Sequence, residues 1–404
     1  MKRISGGVCA SKGFKANGVH CGIRKNKDKL DLALITCDVP CAVASVYTKN
    51  KVKGAPLTVT KNNISDGIAQ AVICNSGNAN TCNFDGIEKA QMMCDLVEKH
   101  TGIKASDVVV ASTGVIGETL NMQPIASGMS SLVGGLSTDG SSNAGKAIMT
   151  TDRVKKEIAY SFEIDGKECH IGGIAKGSGM INPNMATLLC FVTTDVNISS
   201  EMLSLALGKV IKDTLNMVCI DGDTSTNDML SILSSGLAGN CKITDKGKDF
   251  NEFCKCLKKI LTHFAKEIAK DGEGATKLLE CKVVKAKNTK SAKSIAQSVI
   301  SSSLVKTAIF ASDANWGRIL CAIGYTDEKF DISKIDVDLK SRAGMIRVCE
   351  NGAGIPFEED VATKILSEDE VCIIVTCNCG GAKATAWGCD LTYEYVRINA
   401  DYRT

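Results

Sequence analysis

Ala186 and Thr187 carry the strongest chemical option in this chain. Residues 176–195 read Lys-Gly-Ser-Gly-Met-Ile-Asn-Pro-Asn-Met-Ala-Thr-Leu-Leu-Cys-Phe-Val-Thr-Thr-Asp, a polar loop that turns abruptly into an apolar, strand-like run. A small residue followed by a hydroxyl residue at that junction gives the hydroxyl a carbonyl to attack. The attack would cut the chain and leave threonine as a new N-terminal residue. Such a threonine brings its own candidate base, because its α-amine stands beside its hydroxyl. The plainer alternative is a loop entering a core strand with an incidental threonine, and a short motif alone does not separate the two.

Other residues offer weaker options. The apolar run 108–111 leads into Ser112-Thr-Gly-Val-Ile-Gly117. A buried strand ending in Thr113-Gly114 can turn a backbone N–H toward a ligand, since glycine permits close approach; an ordinary strand and turn explains it at least as well. Lys176 suits a carboxylate, and Glu273, set between Gly272 and Gly274, suits an ammonium group; taken singly, each reads as solvated surface charge. Residues 219–228 are dense in Asp, Ser and Thr, which turn chemistry explains as readily as ligand contact. No spacing of Cys or His suggests a metal site: the four histidines are dispersed, and the closest cysteines, Cys254/Cys256 and Cys377/Cys379, alternate.

The elements that must position these groups mix strands and helices. At 404 residues the chain exceeds one ordinary core, so two domains or lobes are expected. With 44% hydrophobic and only 4% aromatic residues, the cores must be built from aliphatic side chains. Strands are expected over 30–35, 42–46, 69–74, 108–111, 278–286, 307–310 and 371–376, with a hairpin through Asp165-Gly166. Helices are expected over 86–100, 201–215 with Ser199-Ser200 as caps, 251–270 and 291–303. There is no regular βαβ alternation, no dinucleotide fingerprint, no phosphate-binding loop and no nucleophile elbow, so layered α+β domains are expected. A net charge of +3 without a basic stripe does not indicate nucleic acid. The 20 cysteines lie largely in apolar runs, where a thiol acts as a small hydrophobe; with no secretory signal, a reducing cytoplasm is the expected setting. No apolar run is long enough to span a bilayer.

Eight segments in order give the chain a resemblance to the ornithine acetyltransferase (glutamate N-acetyltransferase) family. They are Asn75-Ser-Gly-Asn-Ala-Asn80, Ser112-Thr-Gly-Val-Ile-Gly117, Ile148-Met-Thr-Thr-Asp152, Lys176-Gly-Ser-Gly-Met180, Met185-Ala-Thr-Leu188, Asp271-Gly-Glu-Gly-Ala-Thr-Lys277, Asp313-Ala-Asn-Trp-Gly-Arg318 and the tail 399–404. Two departures stand out. Leu188 replaces the family's usual methionine, and Arg153 stands where another threonine is common, which leaves open which residue of that loop meets the substrate.

The resemblance implies layered α/β sandwich domains in two lobes with the active site between them. It implies self-cleavage between Ala186 and Thr187 into fragments 1–186 and 187–404 that stay associated, as an α2β2 heterotetramer. Thr187 would then be the nucleophile, with Thr113 and Gly114 as the oxyanion hole. Thr150, Thr151, Lys176, Thr187, Glu273, Asn399 and Thr404 would bind substrate. The implied reaction passes an acetyl group from N2-acetyl-L-ornithine to L-glutamate, within arginine biosynthesis, with no cofactor or metal; the residues leave open whether acetyl-CoA also serves as donor. The competing enzyme class is an N-terminal-nucleophile amidase or aminopeptidase, in which water discharges the same acyl-threonine. A scaffold that never cleaves would be the non-enzymatic reading.

Overall fold

Leu32 and Leu34 point into one buried cluster and Ala33, Ile35 and Cys37 into another, so the strand Leu32–Tyr47 is buried on both faces. The same alternation runs through its neighbours: Ala71 and Ile73 against Val72 and Cys74, then Val108 and Val110 against Val109 and Ala111. A sheet covered on both sides needs continuous apolar strands, as these runs are. The computed structural model describes residues 1–182 and 188–401.

The fold is α+β, and the chain divides into two compact units: Met1–Gly177, Asn184–Ile211 and Thr224–Phe264 form the first, and Ser178–Pro183, Lys212–Asp223 and Ala265–Thr404 the second. The first holds a nine-stranded mixed sheet. Along its main path lie Lys2–Ile4, Lys156–Ile164, Lys167–Lys176, Leu189–Thr194, Met229–Ser234, Leu32–Tyr47, Ile68–Asn78 and Val108–Val115, with Phe14–Val19 pairing Leu32–Tyr47 off that path. Ile68–Asn78 and Val108–Val115 are parallel, with the helix Gly86–Thr101 in the connection between them. The expected hairpin forms, with Asp165 and Gly166 both at positive φ, the conformation of a two-residue turn that follows a right-handed twist.

In sequence, the strands Lys167–Lys176 and Leu189–Thr194 stand on either side of residues 183–187. Lys167–Lys176 pairs antiparallel with Leu189–Thr194, Lys176 opposite Leu189. Leu189–Thr194 pairs in turn, parallel, with Met229–Ser234, which pairs with Leu32–Tyr47. The units are compact bodies rather than the fragments that a cut before Thr187 would produce, and the first takes strands from either side of that bond.

The second unit holds a seven-stranded sheet, in the order Ala353–Gly354, Gly344–Glu350, Asp336–Ser341, Glu370–Thr376, Leu278–Ala286, Ala382–Cys389 and Val218–Cys219. The helix Thr289–Ser301 packs on it through Ile295, Val299 and Ile300. One expected strand is a helix: residues 307–310 belong to Ser303–Phe310. Ser302 caps it by accepting from the Val305 amide, and Val305, Ala308 and Ile309 are buried at helical spacing. A short apolar run cannot be assigned by periodicity alone, and here the cap decides. The helix expected over 201–215 ends sooner, at Val210, but is capped by Ser199 as expected. All 20 cysteines are free, and burial pushes the thiols of Cys74 and Cys94 up to about 12. No helix among the described residues is long and apolar enough to cross a membrane.

Candidate active site

In the first unit the functional residues gather around a buried carboxylate that the sequence reading did not single out. Asp152, 7% exposed, accepts from Lys156 Nζ at 2.7 Å, from the Gly177 amide at 2.7 Å and from the Thr150 amide at 3.1 Å. One side chain therefore fixes the Thr150-Thr151 loop and the backbone next to Lys176. Burial pushes the Asp152 carboxyl up, but the ammonium groups of Lys176 and Lys156 and the hydrogen bonds prevail and hold it near about 2. It is ionised at neutral pH.

Lys176 is buried as well, which removes the reading of a solvated surface charge. Its Nζ donates to Thr113 Oγ1 at 3.4 Å. Burial lowers its pKa against the opposing pull of Asp152, and the nearby charges of Lys156 and Arg24 lower it further. A cation that is costly to bury and incompletely balanced is primed to take an anionic ligand.

Thr113 and Gly114 lie at the end of Val108–Val115, beside an irregularity in the register with Ile68–Asn78. Gly114 has φ +135°, and a Cβ there would lie 2.3 Å from the carbonyl carbon of Gly77, so only glycine fits. A buried polar network stiffens the strand end behind them. Ser112 Oγ donates to Asn75 Oδ1 at 2.5 Å, while Asn227 Nδ2 donates to the Ser112 and Ala79 carbonyls at 3.0 and 2.6 Å. Asp228, next in sequence to Asn227, is 3% exposed, and its Oδ2 has no hydrogen-bond partner among the described residues. Burial pushes its carboxyl well up, against the pull of Ser225, Lys176, the Leu188 amide and Thr48. In the sequence Asp228 closes the Asp-, Ser- and Thr-rich stretch 219–228, which turn chemistry explains as readily as ligand contact. Arg24 donates to the Met149 carbonyl and, with Lys29, Lys146, Thr150 and Asp152, borders a cavity of about 170 Å³. Arg153 is exposed, while Thr150 and Thr151 are half-buried.

In the second unit Glu273 sits in the Gly272-Glu273-Gly274 turn at 8% exposure, again no solvated charge. Asn399, on the helix Tyr393–Ala400, donates from Nδ2 to Glu273 Oε2 at 2.8 Å. The flanking glycines allow close packing: a Cβ on Gly272 would lie 2.7 Å from Cys389 Sγ, and one on Gly274 2.6 Å from the Tyr395 amide nitrogen. The Glu273 amide donates to the Ser178 carbonyl at 2.8 Å, and the carboxylate stands against Gly179. A carboxylate carrying one amide donor keeps acceptor capacity for an ammonium ligand.

The structure therefore brings Thr150, Asp152, Lys176 and Thr113 together in the first unit, and Glu273 and Asn399 together in the second. Ala186, Thr187 and Thr404 lie outside the described residues.

The ArgJ family profile matches residues 15–404. The arginine biosynthesis bifunctional protein ArgJ 1 of Clostridium acetobutylicum is 47% identical over 392 residues, covering 97% of this chain and 96% of that protein. The ArgJ protein of Caldanaerobacter subterraneus subsp. tengcongensis is 44% identical over 405 residues, covering both chains fully. The crystal structure of the arginine biosynthesis bifunctional protein ArgJ from Bacillus halodurans matches with a TM-score of 0.51 at 46% identity, covering 53% of this chain and 99% of that one.

Proposed function

The chain belongs to the ArgJ family, and from that membership we propose that it moves an acetyl group from N2-acetyl-L-ornithine to L-glutamate through an ester on Thr187. The observation that carries this assignment is the buried charge set. Lys176 has the sign to hold a carboxylate, Glu273 the sign to hold an ammonium group, and each is fixed by neighbours rather than left in solvent. Amino-acid substrates bear both groups.

The cycle begins with a cut. Thr187 Oγ attacks the Ala186 carbonyl, the peptide nitrogen becomes the α-amine of Thr187, and water releases the Ala186 carboxylate from the resulting ester. The parts are then 186 and 218 residues long. Sheet pairing supports their staying together, since Lys167–Lys176 and Leu189–Thr194 lie on opposite sides of the cut. The matched Bacillus halodurans chain, covering 53% of this one, is of the size expected for one such part.

In each turnover the Thr187 hydroxyl attacks the acetamide carbon of the donor, and its proton passes through the α-amine to the departing amine of ornithine. An ordinary α-amine titrates near about 7.7–8.0, so a neutral fraction exists at physiological pH. Glutamate's amine then attacks the ester, giving N-acetylglutamate and restoring the hydroxyl. Backbone and side-chain donors at Thr113 and Gly114 stabilise the oxyanion of both steps, and loss of one such donor costs about 100–1,000-fold in rate. Thr150, Thr151, Asn399 and Thr404 complete the substrate contacts. No metal or cofactor enters the cycle.

The relatives' name, bifunctional protein, supports a second donor, acetyl-CoA, discharging through the same ester. Incubation with N-acetylornithine alone should add one acetyl group to the C-terminal part by mass spectrometry, and glutamate should remove it as N-acetylglutamate. Discharge at an equal rate without glutamate would instead identify a hydrolase. Parallel assays with acetyl-CoA decide the second donor. A cytoplasmic setting and an α2β2 assembly belong to the same proposal.

A further inference from the structure

Residues 178–182 precede the proposed cut, yet their contacts belong to the second unit, whose remaining residues all follow the cut. After cleavage only non-covalent bonds would hold this segment there. The bonds are specific. The Met180 and Ile181 amides donate to the two oxygens of Asp221, at 2.5 and 2.8 Å. The Ile220 amide donates to the Ile181 carbonyl at 2.8 Å, and Asn182 Nδ2 donates to the Gly222 carbonyl at 2.5 Å. Ile181 is fully buried, and Met180 takes φ +55°, a left-handed conformation that costs energy in a residue with a side chain. A carboxylate that accepts from two successive amides can hold such a backbone in place. The segment also carries Gly179, against which the Glu273 carboxylate packs, and Ser178, whose carbonyl accepts from the Glu273 amide.

We propose that Asp221 is a positioning residue: it clamps the cut end of the N-terminal part so that Gly179 and Ser178 keep Glu273 oriented toward the amino-acid substrate. Asp221 touches no reacting atom, and its role is exerted through Glu273. Burial raises its carboxyl above the ordinary range, against the opposing pull of the Met180, Asp223 and Ile181 amides. The inference rests on the proposed cleavage and transfer, and the clamp itself can be measured without either.

The test compares the full-length protein with Asp221→Asn and Asp221→Ala, and with Thr187→Ala as an uncut control. Hydrogen exchange followed by mass spectrometry reads the peptide spanning 177–183, and steady-state kinetics read N-acetylornithine and glutamate. Asp221→Ala should exchange this peptide at least about tenfold faster, with KM for both amino acids up about tenfold and kcat within about threefold. Asp221→Asn retains one acceptor oxygen and should fall between. If Asp221→Ala does not fold, Asp221→Asn and Asn182→Ala carry the same readouts. Unchanged exchange and unchanged KM in a folded variant would overturn the clamp. Faster exchange with equal loss of kcat and kcat/KM would overturn the positioning role. If the unmodified protein never cleaves, the proposed function fails, while exchange in the Thr187→Ala chain still reports on the clamp.

Discussion

The carboxylate of Glu273 rests directly over the α-carbon of Gly179: a methyl group built there would lie 2.4 Å from the Glu273 carboxyl carbon. The glycine is thus a seat for the charge. Because the clashing atoms are the far end of a flexible side chain, Gly179→Ala should fold and simply push the carboxylate aside. With its amide donor Asn399 misaligned, Glu273 should hold an ammonium group less well. We expect kcat/KM for N-acetylornithine to fall about 10–100-fold, with thermal stability nearly unchanged. A variant with full activity would show that Glu273 does not meet the substrate.

The protein should run as two bands under denaturing conditions and as one species in native gel filtration. Removing the hydroxyl in Thr187→Ala should leave a single band. The native result follows from the strands: Leu189–Thr194 is hydrogen-bonded on one side to Lys167–Lys176 and on the other to Met229–Ser234, inside a sheet shared by the parts. Parts that separate in native buffer would show that this pairing is too weak to hold them.

The sequence made the strands and capped helices readable because their signals are local. Continuous apolar runs mark the first sheet, Asp165-Gly166 marks a turn, and Ser199 marks a helix start. The buried charges were not readable, because burial depends on partners distant in the chain. Lys176 looks like surface until Thr113, 63 residues earlier, and Asp152 stand beside it. In the sequence Asp152 is only the end of a Thr-Thr-Asp run; in the fold it ties that run to Gly177. Asp221 and Asp228 lay in a stretch that turn chemistry explained, and only the atoms they face distinguish them. The helix Ser303–Phe310 failed for a different reason, since a short apolar stretch fits either period.

Asp152 should make acid stability pH-dependent. Its folded pKa of about 2 lies below its ordinary value of 3.8, so the ionised form stabilises the fold. That contribution is fully present above the ordinary value and is lost as pH falls through about 4 toward about 2. The difference corresponds to about 2 kcal/mol. Asp152→Asn should lose more than this at neutral pH, about 3–5 kcal/mol, because the buried ammonium groups of Lys156 and Lys176 would lose the ionised carboxylate beside them. Urea unfolding from neutral pH down to about 3 checks both statements. An identical acid slope in the variant would remove Asp152 as its source.

Lys176 should give substrate binding an alkaline limit. Burial lowers its pKa from the ordinary 10.5, so the charge that attracts a carboxylate is lost earlier than on a surface lysine. Glutamate itself is a poor probe, since its own amine also loses a proton on the alkaline side. Glutarate carries the carboxylates without the amine, and its inhibition constant isolates the lysine. Binding should be level near neutrality and weaken as pH rises through the lowered pKa. Lys176→Arg keeps the charge throughout and should remove that limb even where its longer side chain costs affinity. Lys176→Met, with no charge, should weaken glutarate about 30-fold or more at neutral pH. Matching alkaline limbs in the native and Lys176→Arg proteins would place the titration elsewhere and take the carboxylate role away from Lys176.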